Sequence, residues 1–282
     1  MESVMRTPPM GKCEVLRFES VGEAARYVEN GTSKATKDYK DNSASKFYGI
    51  GWDKMRKVMR HGDPEAVARV QKVLDKVDAS FRDRESVQWL PSVAGAYPVV
   101  PDFLAGNPEC MRQRQNIEDD RSPLRIFFSV TVSSGVDIGT AQKRGAAAAA
   151  LAIRLSEDRP VELWATAEMM AGNKTIVQAY RIPTETASAH EIAFGLGSIE
   201  VLRRIAFGVH CQHVDGGSGQ IHWAWAGTPY SERYMASARE ALDANPGDLY
   251  LSGGHLDQIR EMSSDPVGWV HKQLESQREV AE

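Results

Sequence analysis

A run of alanines set between β-rich segments limits what this chain can become. Leu124 to Val132 reads LRIFFSVTV, rich enough in branched and aromatic residues for a central strand. GTAQKRGAAAAALAIRLSEDRP follows from Gly139, an alanine-rich helix ended by Pro160, and small side chains on its contact face let it lie close upon a sheet. VELWATAEMM, from Val161, is a second strand and KTIVQAYRIPT, from Lys174, a third. SAHEIAFGLGSIEVLRRIAFGV, from Ser188, is a second helix in which Ile192, Leu196, Ile199, Val201 and Leu202 supply a buried face. Strand, helix, strand, strand, helix predicts an α/β fold, a layered sheet with helices packed on it.

The flanking sequence extends this core. EVLRFES, Glu14 to Ser20, is a short strand with Val15 facing away from Leu16 and Phe18. Ser20 followed by Glu23 has the spacing of a capping box, so VGEAARYVEN forms a helix that stops near Gly31. Thr32 to Ser45 is polar and lacks apolar periodicity, which predicts a mobile loop that orders against a ligand. WDKMRKVMRHG reads as helix with Met55, Val58 and Met59 on one face, and Asp63-Pro64 starts another that runs to about Phe81. Residues 1–87 are thereby expected as a mainly helical, basic N-terminal region. Residues 88–123, with prolines at 91, 98, 101 and 108, are expected as an extended connector packed on the body, and 124–282 as the α/β core. Within that core, VHCQHVDGGSGQIHWAWAG (Val209 to Gly227) reads as a β-hairpin, YSERYMASAREALDANPG as a helix, and DLYLSG as a short strand. The chain closes on a helix begun by Asp265-Pro266.

Several chemistries find no purchase. The longest apolar run, Gly145 to Ile153, is far short of the roughly 20 residues that span a bilayer. MESVMRTPPMGKCEV lacks the apolar stretch of a secretion signal, so the cytoplasm is the expected compartment and no membrane partner is expected. Cys13, Cys110 and Cys211 are odd in number and dispersed, against a disulfide framework or a cysteine-rich zinc site. AGNKT, Ala171 to Thr175, matches only the end of a phosphate-gripping loop, and DGGSG lacks the spacing of a nucleophile elbow. His210, Cys211, His213 and His222 gather on the expected hairpin, but adjacent strand residues face opposite ways. No metal, no cofactor and no catalytic residue are expected.

Ser129, Thr131 and Ser133 alternate along the end of the first core strand. This resembles the Asp-x-Ser-x-Ser that closes the first strand of von Willebrand factor A-type domains and holds magnesium there. Ser129 stands where the aspartate belongs, so the resemblance implies a degenerate version of that fold without its ion.

Charge points elsewhere. Between Lys34 and Arg60 lie eight Lys or Arg (34, 37, 40, 46, 54, 56, 57 and 60) against Asp38, Asp41 and Asp53, a formal +5 in a chain of net charge −4. Tyr39, Phe47, Tyr48 and Trp52 are threaded among them. Binding of unpaired strands needs cations that track phosphates and rings that receive bases. The candidate site is therefore Lys34, Lys37, Tyr39, Lys40, Lys46, Phe47, Tyr48, Trp52, Lys54, Lys57 and Arg60. The competing expectation is a solvated lysine face whose rings anchor the loop as core residues.

VAGAYPVVPDFLAGNPECM, KRGAAAAALAIRLSEDRPVELW and IEVLRRIAFGV together resemble an uncharacterised family of phage-encoded proteins, over roughly Val93 to Val209. The chain is also similar to the non-OB-fold cofactors of podoviruses that encode their own RNA polymerases. That resemblance implies single-stranded DNA as a partner, a phage RNA polymerase as the protein recruited, transcription regulation as the role, and the host cytoplasm as the place. A homo-oligomer is compatible with it. The alternative expectation is a metal-free α/β protein–protein adaptor that does not bind nucleic acid.

Overall fold

Two strands from the start of the chain, β1 (Met5–Met10) and β2 (Cys13–Phe18), pair antiparallel. In β2 Val15, Leu16 and Phe18 are all buried, so both of its faces are covered. The computed structural model describes residues 5–10, 13–32, 34–81, 89–93, 97–98, 104, 106–114, 123–132, 135–157, 159–171, 174–184, 189–214, 238–253 and 256–279.

Helix α1 (Val21–Glu29) begins as its capping residues dictate. Glu23 N–H donates to Ser20 Oγ at 3.0 Å, and Glu23 Oε2 accepts from Glu19 N–H at 2.7 Å. Helices α2 (Lys34–Tyr39), α3 (Trp52–His61) and α4 (Pro64–Phe81) follow. The loop expected over Thr32 to Ser45 is thus in part helical, because Thr36 and Tyr39 are buried on one side of α2 and tie it to the body.

The chain divides into two units, Met1–Asp75 with Pro123–Glu282, and Lys76–Ser122. The smaller holds a three-stranded antiparallel sheet in which β5 (Met111–Arg114) runs between β3 (Trp89–Ser92) and β4 (Tyr97–Pro98). Pro91 and Pro98 both sit on edge strands, where a missing N–H is tolerated. The connector is therefore a small sheet of its own, not merely extended chain.

In the larger unit, β6 (Leu124–Ser129) leads through the alanine helix α5 (Ile138–Ser156) to β7 (Val161–Ala171), which pairs parallel with β6. β8 (Lys174–Ile182) returns antiparallel, in continuous register from Ala171↔Lys174 to Leu163↔Ile182. β2 then adds parallel to β8, and β9 (Leu249–Leu251) adds parallel to the other side of β6. The order β1-β2-β8-β7-β6-β9 confirms the layered α/β architecture. It also revises the N-terminal region, whose two strands complete the core sheet.

Helix α6 (Ala189–Gly197) ends where one long helix was expected. A π-helical turn (Val201–Ala206) follows and runs into α7 (Phe207–Val214); α8 (Leu256–Ser264) and α9 (Pro266–Glu279) close the chain. Helix α5 packs against α6, α8 and α9 and is buried from Arg144 to Ala152. A Cβ on Gly145 would lie 2.4 Å from the Gly197 Cα, so this crossing requires glycine. The other face of the sheet carries Cys13, Val15, Phe127, Trp164, Val177 and Ala179 against Ala238, Ala241 and Leu242.

Candidate nucleic-acid interface

The rings of the basic segment face inward. Trp52 and Tyr39 are buried, and Phe47 and Tyr48 are half-buried. Tyr39 meets Tyr48 and Phe207 edge-on, each at 5.9 Å between centroids, and Phe47 meets Tyr48 at 4.9 Å. The arginines of the π-helical turn lie over the outer pair, Arg203 4.4 Å from the Phe47 centroid and Arg204 5.6 Å from that of Tyr48. Each of these aromatic faces already has a neighbour. As stacking platforms for bases, Tyr39 and Trp52 are corrected: they are core residues. Burial pushes the Tyr39 hydroxyl well above its ordinary range.

That same turn supplies what the loop backbone lacks. Arg204 is almost wholly buried and donates to the carbonyls of Asp41 at 2.7 Å, Ser43 at 2.6 Å and Tyr39 at 3.3 Å. Arg203 donates to Phe47 O at 2.8 Å and to Val136 O at 3.4 Å. Glu200 Oε1 accepts the Ile50 N–H at 2.9 Å, while Oε2 accepts from Ser198. Gly49 has φ of 73°, and a Cβ there would fall 2.0 Å from Glu200 Oε1. A polar segment without apolar periodicity is thus held as a strap by three charged side chains about 160 residues away. A π-helical turn places Arg203 and Arg204 side by side where both reach the strap. Sequence reasoning missed these three residues. Their signal was a Glu and two Arg inside an otherwise apolar run, IEVLRRIAF, because buried charges demand partners.

The cations divide. Lys40 Nζ is spent on the carbonyls of Glu29 at 3.1 Å and Gly31 at 2.8 Å, and Arg56 Nε lies 2.9 Å from Glu29 Oε1. Lys37, Lys46, Lys54, Lys57 and Arg60 are exposed and form no ion pair among the described residues. Lys54, Lys57 and Arg60 recur every three residues along α3, which puts them on neighbouring turns of one side. Lys34 opens α2, and its side chain lies outside the described residues. Arg125 is committed elsewhere, 2.7 Å from Asp248 and 2.6 Å from Asp243 O.

The serine-rich strand end forms a second polar cluster, beside the point where β7 and β9 part to either side of β6. Ser129 Oγ donates to Glu168 Oε2 at 2.5 Å, while Thr166 Oγ1 and Tyr250 OH donate to Oε1 at 2.7 and 2.8 Å. Glu168 thereby supplies from β7 the carboxylate that β6 lacks. Magnesium, which the resemblance to A-type domains raises, does not fit this donor set. Both oxygens of Glu168 are occupied by hydroxyls, and the countercharge comes from Arg144, buried under the strand end and donating to the carbonyls of Ser252 at 3.1 Å and Leu251 at 3.3 Å. Burial holds the Arg144 guanidinium down to about 10, with Glu168 and then Tyr250 opposing that shift.

His210, Cys211 and His213 lie on α7 and not on a strand, since the helix continues where the hairpin was expected. His210 is buried, and His213 Nε2 is 2.9 Å from Glu14 Oε1. The remainder of that expectation, including His222, Trp223 and Trp225, lies outside the described residues, as does the start of the helix expected after it. Among the described residues no three His, Cys, Asp or Glu converge as a metal site, and no helix is long and apolar enough to cross a membrane.

No curated protein and no solved structure matches the chain. A family model described as a domain of unknown function, DUF7192, matches residues 6–274. That match takes in both units from β1 to the last turns of α9, and the chain belongs to this family.

Proposed function

We propose that this protein binds single-stranded DNA without acting on it chemically, gripping the phosphates with the exposed cations of residues 37–60. The observation that carries the reading is the set Lys37, Lys46, Lys54, Lys57 and Arg60, all exposed and none ion-paired among the described residues, in a chain that is otherwise acidic. Local potential, not net charge, governs such a contact. Burial of Tyr39 and Trp52 removes base stacking on those rings from the proposal and leaves an electrostatic grip.

Five phosphate contacts on a single strand give a slope of about −3.5 in a plot of log affinity against log salt, at about 0.7 per contact. Fluorescence anisotropy with labelled oligonucleotides across a salt series reads it. Changing Lys37, Lys46, Lys54 and Lys57 together to glutamate abolishes binding, and unchanged affinity in that variant overturns the proposal. The preference for a single strand rests on the likeness to the podoviral cofactors, and duplex binding as tight as single-strand binding removes it. Recruitment of a phage RNA polymerase rests on the same likeness. A nuclease-treated pull-down in which the glutamate variant still captures polymerase supports instead the reading as a metal-free adaptor.

A further inference from the structure

A cleft of about 330 Å³ opens at the N-terminal end of α1, and four arginines from three elements converge on it. Arg26 comes from α1, Arg56 and Arg60 from α3, and Arg181 from β8. Two of the four are paired and two are not, among the described residues. Arg56 is paired with Glu29 at 2.9 Å, and Arg181 stands 3.9 Å from Glu19. Arg26 and Arg60 are exposed and form no ion pair among the described residues, and Glu191 is the acid on the cleft wall. Burial lowers the affinity of Arg56 for its proton; Glu29 opposes this, and the like charges of Arg60 and Arg26 add to it. Four guanidinium groups thus face a cleft whose lining holds one carboxylate, Glu191, a surplus of positive charge that an anion offsets.

The main chain contributes to the same cavity. Val21 and Gly22 open α1, and their N–H groups have no hydrogen-bond partner among the described residues, because the cap Ser20 Oγ serves Glu23. A first-turn N–H pair and guanidinium groups lining one cleft are donors of the kind that bind phosphate oxygens. Beside the arginines the wall is apolar, formed by Met59, Pro183 and Phe194. The volume sits near the lower bound of small-ligand pockets, about 300–1,000 Å³.

We infer that this cleft binds a terminal phosphate together with the one nucleoside that bears it, the phosphate among the arginines and the nucleoside against the apolar wall. Two sources share that chemistry, a free mononucleotide and the 5′-phosphorylated end of a strand. Of the five cations assigned to strand binding Arg60 alone lines the cleft, whereas Arg26 and Arg181 lie outside the basic segment and the lysines outside the cleft, so free dTMP separates the inference from the strand-binding reading.

Calorimetric titration of the full chain with dTMP and with thymidine tests it, alongside oligonucleotides with and without a 5′-phosphate. The variants are Arg26→Gln with Arg60→Gln, both at exposed unpaired positions, and the four-lysine glutamate variant; a thermal melt confirms that each is folded. The expected result is dTMP binding that thymidine does not reproduce, weakened at least tenfold by the arginine variant and kept by the lysine variant. A 5′-phosphate that tightens oligonucleotide binding tenfold assigns the strand end as the source. Oligonucleotides indifferent to that phosphate, with dTMP bound, assign the free nucleotide. Absence of dTMP binding, equal binding of thymidine, or affinity indifferent to the arginine change overturns the inference, whatever the lysine variant does to strand binding.

Discussion

Replacing Arg204 with methionine keeps an unbranched apolar stem and removes every hydrogen bond the guanidinium donates to the strap. Two of those bonds are short, to Asp41 O at 2.7 Å and Ser43 O at 2.6 Å, and the third, to Tyr39 O, is 3.3 Å. Each short bond from a charged donor contributes about 1.5–3 kcal/mol, so the pair holds the strap by roughly 3–6 kcal/mol before offsets. Removing a buried charge returns part of that as relieved desolvation, and burial already lowers the affinity of this guanidinium for its proton. The net cost is about 3 kcal/mol, on the order of a hundredfold in the opening equilibrium of residues 39–50. Hydrogen exchange reads this at Ile50, whose N–H is bonded to Glu200, at Gly49, bonded to Ser45 O, and at Trp52, bonded to Asp41 O. These amides are expected to exchange about a hundredfold faster, while amides of the β7–β8 ladder change little. Unchanged exchange at the three amides refutes the reasoning. An equal rise in the β7–β8 ladder refutes it too, because Arg204 would then be supporting the whole fold and not the strap.

Glu168→Gln removes the negative charge that favours the buried Arg144 guanidinium and weakens the charge-assisted bonds from Ser129, Thr166 and Tyr250, a loss of about 1.5–3 kcal/mol in chemical unfolding. Adding Arg144→Met is expected to restore a good part of the loss, and strict additivity in the double-mutant cycle would sink the pairing. Burial, reinforced by Glu168, pushes the Cys13 thiol from about 9 up to about 11, so the folded state holds the proton more tightly than the unfolded chain does. The stability this gives is complete below pH 9 and is lost as pH rises through 11, up to about 2–3 kcal/mol. Wild type should therefore lose stability relative to Cys13→Ala over that window in urea melts; parallel curves for the two proteins would show that the thiol is not held protonated.

The core was legible because its signals are local. LRIFFS, the alanine helix and the two long strands each carry their own period and terminators, and β6, α5, β7 and β8 fall where these place them. What escaped is what depends on distant partners. EVLRFES reads as a strand, but nothing in those residues says that it pairs parallel with a strand beginning at residue 174. The single helix expected from Ser188 is interrupted before Val201, and the arginines of the π-helical turn beyond the break bond carbonyls of Phe47 and Asp41, partners that the residues around Ser188 do not announce.

The candidate interface shows the same division in sharper form. Counting charge between Lys34 and Arg60 treats every cation alike, whereas pairing sorts them by work. Lys40 caps the end of α1 through two carbonyls and Arg56 is held by Glu29, so neither stands with the exposed, unpaired cations of the segment. The rings sort as well, since aromatic side chains in a segment with little other apolar content serve as its anchors once the segment is folded against a core. Tyr39 and Trp52 meet that need by burial, Phe47 and Tyr48 by packing under arginines. An aromatic threaded through lysines is therefore as much a sign of a strapped loop as of a base-binding groove. Buried arginines elsewhere in the chain are what tell the two apart. By that criterion the candidate interface draws on cations unpaired among the described residues: Lys37, Lys46, Lys54, Lys57 and Arg60 from the segment, and Arg26 from the cleft beside it.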